Sequence, residues 1–198
     1  MVRTNATMGT IFLAVLLAAC GAPTHGGSDA GIDAGHNACD PDAGFDGGTT
    51  TEQPDRGGMH VPAPTPIEYD FSPPASGPHR PRWAKWGEYD SLPPERWVHN
   101  LEHGGIVFLY APSADQATLD AMRDFAASRP DDDGGPFRYV LTSYPDLPST
   151  IAVVAWTWVY EADCFDGDAV SAFVDEHYRQ APEDEGADGA FEDGWIGR

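Results

Sequence analysis

The chain has 198 residues, enough for one ordinary domain with tails, and 41% of them are hydrophobic, enough for a packed core. Its formal net charge of −21 argues against a nucleic-acid-binding protein, because no basic face is available for a phosphate backbone. The same charge argues against electrostatic adhesion to anionic lipids.

The first twenty residues have the composition of a secretory signal. Arg3 is followed by a short apolar run, Ile11–Leu17, and then by small residues up to Cys20. Leu17-Ala18-Ala19-Cys20 resembles a bacterial lipobox, which implies removal of residues 1–19 and lipidation of Cys20. An ordinary secretory signal and a retained anchor are the alternatives. We expect the protein in the bacterial cell envelope, at the outer membrane or in the periplasm, held to the membrane by its lipid and facing out of the cytoplasm.

Residues 20–58 are predicted to be a disordered, acidic tether. They are rich in Gly, Asp and Ala, contain few large apolar side chains, and repeat the tripeptide Asp-Ala-Gly. A calcium-binding repeat is the alternative interpretation of these aspartates. Cys39 in this tether is a candidate disulfide partner of Cys164 in an oxidising compartment, although the sequence does not show whether the two can approach.

A folded domain is predicted for residues 59–183, followed by an acidic tail at 184–198. The domain begins with extended segments interrupted by prolines. A loop with four prolines comes next and carries His79 and Arg80. Because proline restricts the backbone, this loop is a rigid mount for both side chains.

A short helix is predicted from Pro94 to His103. Proline is tolerated in the first turn of a helix, and Gly104-Gly105 ends it. His99 and His103 lie four residues apart and therefore share one helix face, with Glu102 beside them. This segment is therefore the candidate functional site.

Strands and helices are predicted for the rest of the domain. Ile106–Tyr110, Phe137–Tyr144 and Ile151–Tyr160 have the apolar runs of strands, and the last is apolar on both faces. A helix capped by Asp115 follows the first strand, and a helix capped by Asp168 follows the last. This order predicts one α+β or α/β domain of two or three layers, with a mixed sheet of about four strands flanked by helices.

Two histidine-containing motifs resemble a known family. They are Pro73-Pro74-x-Ser76-Gly77-x-His79-Arg80-Pro81 and, after Gly87-Glu88-Tyr89, the stretch from Arg96 to Gly105. Together they resemble the signature of the bacterial family called domain of unknown function 3105, over residues 60–183. They are also similar to the domain found in tumour protein p53-inducible protein 13. The resemblance implies a secreted or membrane-anchored single domain and supplies no reaction.

A transition-metal site is the first interpretation of these motifs. Imidazole ligands suit copper or zinc, and a rigid loop can bring a third histidine to the two on the helix. A neighbouring carboxylate can bind the ion or orient an imidazole. The candidate ligands are His79, His99, His103 and Glu102, with His60 as a weaker fourth ligand or supporting residue and Arg80 as a supporting residue.

A non-catalytic binding or scaffold module is the second interpretation. In that case the histidines satisfy buried backbone groups, and Arg80 pairs with Glu102 or Glu88. A concave aromatic patch would then take a protein or glycan partner, and its candidate residues are Trp83, Trp86 and Trp97.

A zinc-dependent hydrolase is the third interpretation. The sequence His99-x-x-Glu102-His103 matches the inverted zinc-peptidase pattern, in which two histidines bind zinc and the glutamate activates water. This short pattern often arises by chance, and the further acidic ligand it needs is not identifiable. The sequence therefore favours a non-catalytic domain over an enzyme.

Overall fold

A computed structural model describes Cys39 and residues 47–198 of the chain. The predicted signal peptide, the predicted lipidation at Cys20 and the rest of the predicted tether before residue 47 lie outside the described residues. Within the described part, no helix has the length and apolar character needed to span a membrane.

The described residues form three helices and one mixed sheet of seven strands. The strands are β1 Thr49–Glu52, β2 Gly87–Tyr89, β3 Ile106–Tyr110, β4 Tyr139–Ser143, β5 Ile151–Ala155, β6 Trp158–Ala162 and β7 Trp195–Gly197. The helices are α1 Pro94–Glu102, α2 Gln116–Ser128 and α3 Gly167–His177. The order in the sheet is β1-β6-β5-β3-β4-β2-β7. Strands β2 and β3 run parallel to β4 on either side of it, and the other neighbouring pairs are antiparallel.

The predicted α+β class with a mixed sheet is confirmed, but the prediction of about four strands is wrong. β1 is exposed throughout, so no apolar pattern marks it, and it is held by backbone pairing with β6. The run predicted at Ile151–Tyr160 is a hairpin of two strands, because a turn at Thr157 (φ 65°) reverses the chain without a glycine. β2 and β7 have three residues each, which is too short for a periodic pattern.

The ordered domain extends beyond residues 59–183 on both sides. β1 lies in the segment predicted as tether, and the side chain of Gln53 donates a hydrogen bond to Pro73 O at 2.9 Å. β7 lies in the segment predicted as tail and pairs with β2. Cys39 and Cys164 form a disulfide, with their Cα atoms 5.1 Å apart.

Apolar side chains cover both faces of the central strands. On β3, Ile106 and Phe108 point to the face covered by α2 and α3, which we call the α2/α3 face. Val107 and Leu109 point to the opposite face, which we call the α1 face because α1 and the proline-rich loop cover it. All five residues of β5 are buried, as expected for a central strand covered on both sides.

Aspartate caps begin both helices of the α2/α3 face. Asp115 caps α2 as predicted, and its Oδ1 accepts a hydrogen bond from Thr118 N at 2.8 Å. The prediction of Asp168 as the cap of α3 is wrong. Asp166 is the cap, because its Oδ1 accepts hydrogen bonds from the N–H groups of Asp168 and Ala169.

Candidate metal centre

The C-terminal turn of α1 carries three of the predicted ligands, and two glycines end it. The N–H of Gly104 (φ 81°) donates to Leu101 O at 3.0 Å. The N–H of Gly105 donates to Asn100 O, also at 3.0 Å, which completes a Schellman motif. A Cβ on Gly105 would lie 2.4 Å from the ring of Trp86, so this position has no room for a side chain. The end of the helix is therefore fixed both by conformation and by close packing.

Backbone hydrogen bonds place His79 and His60 beside α1. The two residues form an isolated parallel bridge, in which His79 N donates to Met59 O at 3.0 Å. The next residue, Arg80, donates its N–H to Glu95 O in the first turn of α1, at 2.8 Å. The proline-rich loop is thus attached to the helix, and His60 is attached to the loop.

Backbone carbonyls fix the tautomers of two buried histidines. His79 Nδ1 lies 2.9 Å from Gly77 O, and His99 Nδ1 lies 2.6 Å from Arg80 O. Because a carbonyl oxygen only accepts, each Nδ1 must carry the proton and donate it. In the neutral rings the lone pair is then on Nε2, and orientation of this kind is what metal-binding histidines usually receive from their surroundings.

The free Nε2 atoms converge on the carboxylate of Glu102. Oε2 of Glu102 lies 3.0 Å from His79 Nε2, 3.7 Å from His60 Nε2 and 4.0 Å from His99 Nε2. One ligand atom from each of the four residues lies within 4.8 Å of all the others. His79 and His99 are buried, whereas the side chain of His60 is 50% exposed. We call these four residues the first group.

Burial keeps the two inner histidines neutral. It lowers the pKa of His79 to about 4 and that of His99 to about 3, because a charged imidazolium would lose its solvation. Burial also raises the pKa of Glu102 to about 7, to which the negative charge of Glu183 adds. The side chains are therefore two neutral imidazoles and a carboxyl group that is close to half ionised at neutral pH.

The contact between His79 and Glu102 needs a proton or a cation between its two atoms. His79 Nε2 has a lone pair, is fully buried, and has no hydrogen-bond donor directed at it among the described residues. Glu102 Oε2, 3.0 Å away, is also an acceptor once the carboxyl group is ionised. Two buried acceptors at this distance are stable only with a proton or a cation between them.

His103 belongs to a second set of ligands rather than to the first. One ligand atom each from Glu102, His103 and Glu183 lies within 4.8 Å of the other two, and we call these residues the second group. The ring of His103 packs against those of Trp83 and His99, with centroid distances of 4.5 and 4.7 Å, and the latter two rings also contact each other. The inverted zinc-peptidase pattern requires His99 and His103 on one ion, and this grouping does not support it.

The structure thus brings together most of the candidate ligands and adds one. His79, His99 and Glu102 lie together, and His60, predicted as a weaker candidate, joins them in the first group. Glu183 is the residue that the sequence analysis missed. It lies 81 positions after Glu102 in an acidic segment, and no spacing pattern links the two.

The features expected of a scaffold module are present only in part. Arg80 pairs with Glu95 at 3.5 Å rather than with Glu102 or Glu88. Arg80 also donates to the carbonyls of Val61 and Thr65, so it supports the segment that carries His60. Trp86 and Trp97, two candidates for a concave aromatic patch, are 1% and 0% exposed and belong to the core of the α1 face.

Comparisons with known proteins agree with the resemblance noted in the sequence. The family model described as "Protein of unknown function (DUF3105)" matches residues 60–190, which include every residue of both groups. No curated protein and no solved structure was found to match. With two thirds of its length matched by this one model, the chain belongs to the DUF3105 family.

Proposed function

We propose that this domain binds a transition-metal ion through His60, His79, His99 and Glu102. The observation that carries the proposal is the 3.0 Å contact between His79 Nε2 and Glu102 Oε2, two buried acceptors that need a cation or a proton between them. A purely structural role accounts for the Nδ1 atoms of His79 and His99, which hydrogen-bond to backbone carbonyls. A protonated Glu102 carboxyl could donate a hydrogen bond to one Nε2 atom, but three Nε2 atoms lie within 4.0 Å of its Oε2.

The spacing of the ligand atoms suits a single small ion. Zinc lies about 2.0–2.2 Å from nitrogen and oxygen ligands, so ligand atoms at tetrahedral angles are roughly 3.3–3.6 Å apart. The distances from Glu102 Oε2 to the three Nε2 atoms, 3.0–4.0 Å, bracket this value. All four ligand atoms lie within 4.8 Å of one another.

The ligand set favours copper or zinc over magnesium or calcium. Imidazole nitrogen is a good ligand for copper and zinc, whereas magnesium and calcium require oxygen ligands. Three imidazoles and one carboxylate give the bound divalent ion a net charge of +1. The Nδ1 hydrogen bonds to Gly77 O and Arg80 O raise the basicity of two of the imidazoles.

We place this site outside the cytoplasm, on a lipid-anchored domain. The lipobox-like sequence before Cys20 supports this location, and so does a disulfide between Cys39 and Cys164, since structural disulfides persist in oxidising compartments. A protein or glycan partner and a similarity to the domain of tumour protein p53-inducible protein 13 stay predictions from the sequence.

Elemental mass spectrometry on the purified full chain, without an added histidine tag, tests the proposal. After loading with zinc or copper and removal of excess ion, the wild-type chain should retain metal, and a His79→Ala/His99→Ala variant should retain none at the first group. The matched control is His177→Ala, because His177 is also buried and stacked on a tryptophan but lies on the α2/α3 face. It should retain as much metal as the wild type.

Circular dichroism establishes that each variant is folded. If the double variant unfolds, His60→Ala replaces it, because the half-exposed His60 side chain can be removed without a cavity. We then expect at least a tenfold loss of affinity. A folded wild-type chain that retains neither ion, or variants that bind as tightly as the wild type, would show the proposal to be wrong.

A further inference from the structure

We propose that the centre holds two ions, with Glu102 bridging the first group to a second ion bound by His103 and Glu183. This inference rests on the proposed function, since it adds a second ion to the same centre. Within the second group, His103 directly follows Glu102 in the chain, at the C-terminal end of α1.

The first reason is that His103 is buried without hydrogen-bond partners for its two ring nitrogens. The residue is 4% exposed, and neither Nδ1 nor Nε2 makes a hydrogen bond within the described part of the chain. A neutral imidazole has one donor and one acceptor, and burial leaves both unsatisfied at a substantial cost. An ion on Nε2 would satisfy the acceptor.

The second reason is that the ring of His103 is held in one orientation. The rings of Trp83 and His99 both pack against it, with interplanar angles of 24° and 21°. The ring therefore cannot turn toward another partner without losing both contacts. Its Nε2 atom points to the carboxylate of Glu183, 3.7 Å away.

The third reason is that Glu183 is positioned by its backbone. Its N–H donates to Glu102 O at 3.0 Å, and the N–H of Arg179 donates to Gly104 O at 2.9 Å, so the segment is attached to the end of α1. Arg138 lies nearby, but its guanidinium pairs with Asp132 and Asp184. Among the described residues, Glu183 has no lysine or arginine partner within 4.0 Å, which leaves its carboxylate available to a cation.

The fourth reason is the location of the Glu102 carboxylate. It belongs to both groups, and a carboxylate has two oxygens, each of which can bind an ion. A Cβ on Gly58 would lie 1.5 Å from Glu102 Oε1, so a glycine at this position lets the carboxylate lie against the backbone. Carboxylate-bridged ions in two-metal sites are separated by about 3.5–4 Å.

The two positions differ in how many protein ligands they supply. The first group offers three imidazoles and the shared carboxylate, whereas the second offers one imidazole, one carboxylate and the same shared group. The second ion would therefore have open coordination positions for water or another oxygen ligand. It should also be the more weakly bound of the two.

Zinc titration of the full chain by calorimetry, with elemental analysis, tests the second ion. We expect two ions per chain for the wild type and one for Glu183→Gln, which changes a side chain that is 59% exposed and should leave the fold intact. The matched control, Glu185→Gln, alters a neighbouring glutamate outside both groups and should keep two ions. One ion in the wild type, or two in Glu183→Gln, would overturn the second position while leaving the proposed function. No ion in the wild type would overturn both.

Electron paramagnetic resonance with Cu(II) tests whether the two ions share Glu102. Two copper ions about 4 Å apart couple magnetically, so the signal should broaden or disappear as the second equivalent binds. Glu183→Gln should give the unbroadened signal of an isolated ion at one equivalent. A wild-type signal that simply doubles with the second equivalent would mean that the ions lie apart, and the bridged arrangement would be wrong.

Discussion

The two faces of the sheet bury different kinds of side chain. On the α2/α3 face the core around Phe108 and Phe165 is built mainly from aliphatic and aromatic residues, and His177 is buried beside Trp158 and Phe173. On the α1 face, a comparable apolar core lies beside buried His79, His99 and His103. Buried polar groups cost free energy unless they are paired. The α1 face, with three buried histidines close together, therefore carries the larger cost, and binding can offset it.

The largest effect on stability should come from the mainly apolar α2/α3 face. Phe108→Ala removes a fully buried ring that packs against Phe125 and Tyr139, and we expect a loss of about 3–5 kcal/mol in the free energy of unfolding. Urea denaturation measures this change in the free energy of unfolding. In the folded fraction, metal content should equal that of the wild type. A variant that keeps its stability but loses its metal would contradict the division between the faces.

Glu102→Gln should have opposite effects on stability and on binding. At pH 8 the Glu102 carboxylate is ionised and faces the lone pair of His79, whereas the amide of glutamine can donate a hydrogen bond to that lone pair. Without metal, we expect the variant to be more stable than the wild type by about 1 kcal/mol. Its affinity for zinc should fall at least tenfold, because one anionic ligand is lost.

Chemical denaturation in the presence of a chelator, together with zinc calorimetry, measures both quantities for Glu102→Gln. Glu176→Gln, an exposed change on α3, is the control and should alter neither. A metal-free Glu102→Gln protein less stable than the wild type would mean that the carboxylate stabilises the fold, which is the behaviour of a structural residue.

The smallest effect should be an acid-dependent one at the edge of the α1 face. Ion pairs and hydrogen bonds with Arg179 and Arg138 lower the pKa of Asp184 to about 2. Because the folded-state pKa is below the ordinary value of 3.8, the stabilisation is present above pH 4 and is lost as the pH falls toward 2. Asp184 is partly exposed, so solvent screening keeps the contribution small.

Thermal unfolding of Asp184→Asn across the acid range tests this pH-dependent stabilisation by Asp184. The variant should melt slightly below the wild type at pH 7, and the difference should disappear as the pH approaches 2. Asp146→Asn, which changes an exposed aspartate without an ion pair among the described residues, should follow the wild type throughout. A difference that grows in acid would contradict the sign of the shift.

The sequence predicted the elements whose signals are local. The boundaries of α1 follow from prolines at its start and glycines at its end, and α2 follows from Asp115 and an apolar stripe. The residues of β3 and β5 are buried on both faces, as their apolar runs indicated. Strand β1 was missed because it is exposed and held by backbone pairing at the sheet edge, and β7 because three residues are too few for a periodic pattern.

In the candidate site, too, the sequence predicted only the residues that local signals mark. His99 and Glu102 share a helix face by their spacing, and His79 was recognised on a rigid loop. The roles of His60 and Glu183 depend on contacts between distant segments. His60 reaches the centre through its bridge to His79, and Glu183 through a hydrogen bond to a carbonyl of α1. No property of a single segment encodes such contacts.

The unequal exposure of the first group has a kinetic consequence. His60 is half exposed, while the other histidines of the group are buried. Rotamer changes of exposed side chains take picoseconds to nanoseconds, whereas opening a packed core requires far slower local unfolding. An ion held there would lose its outermost ligand first, so a chelator or acceptor protein could attack from that side. Release would then be fast and partner-assisted even where the equilibrium affinity is high.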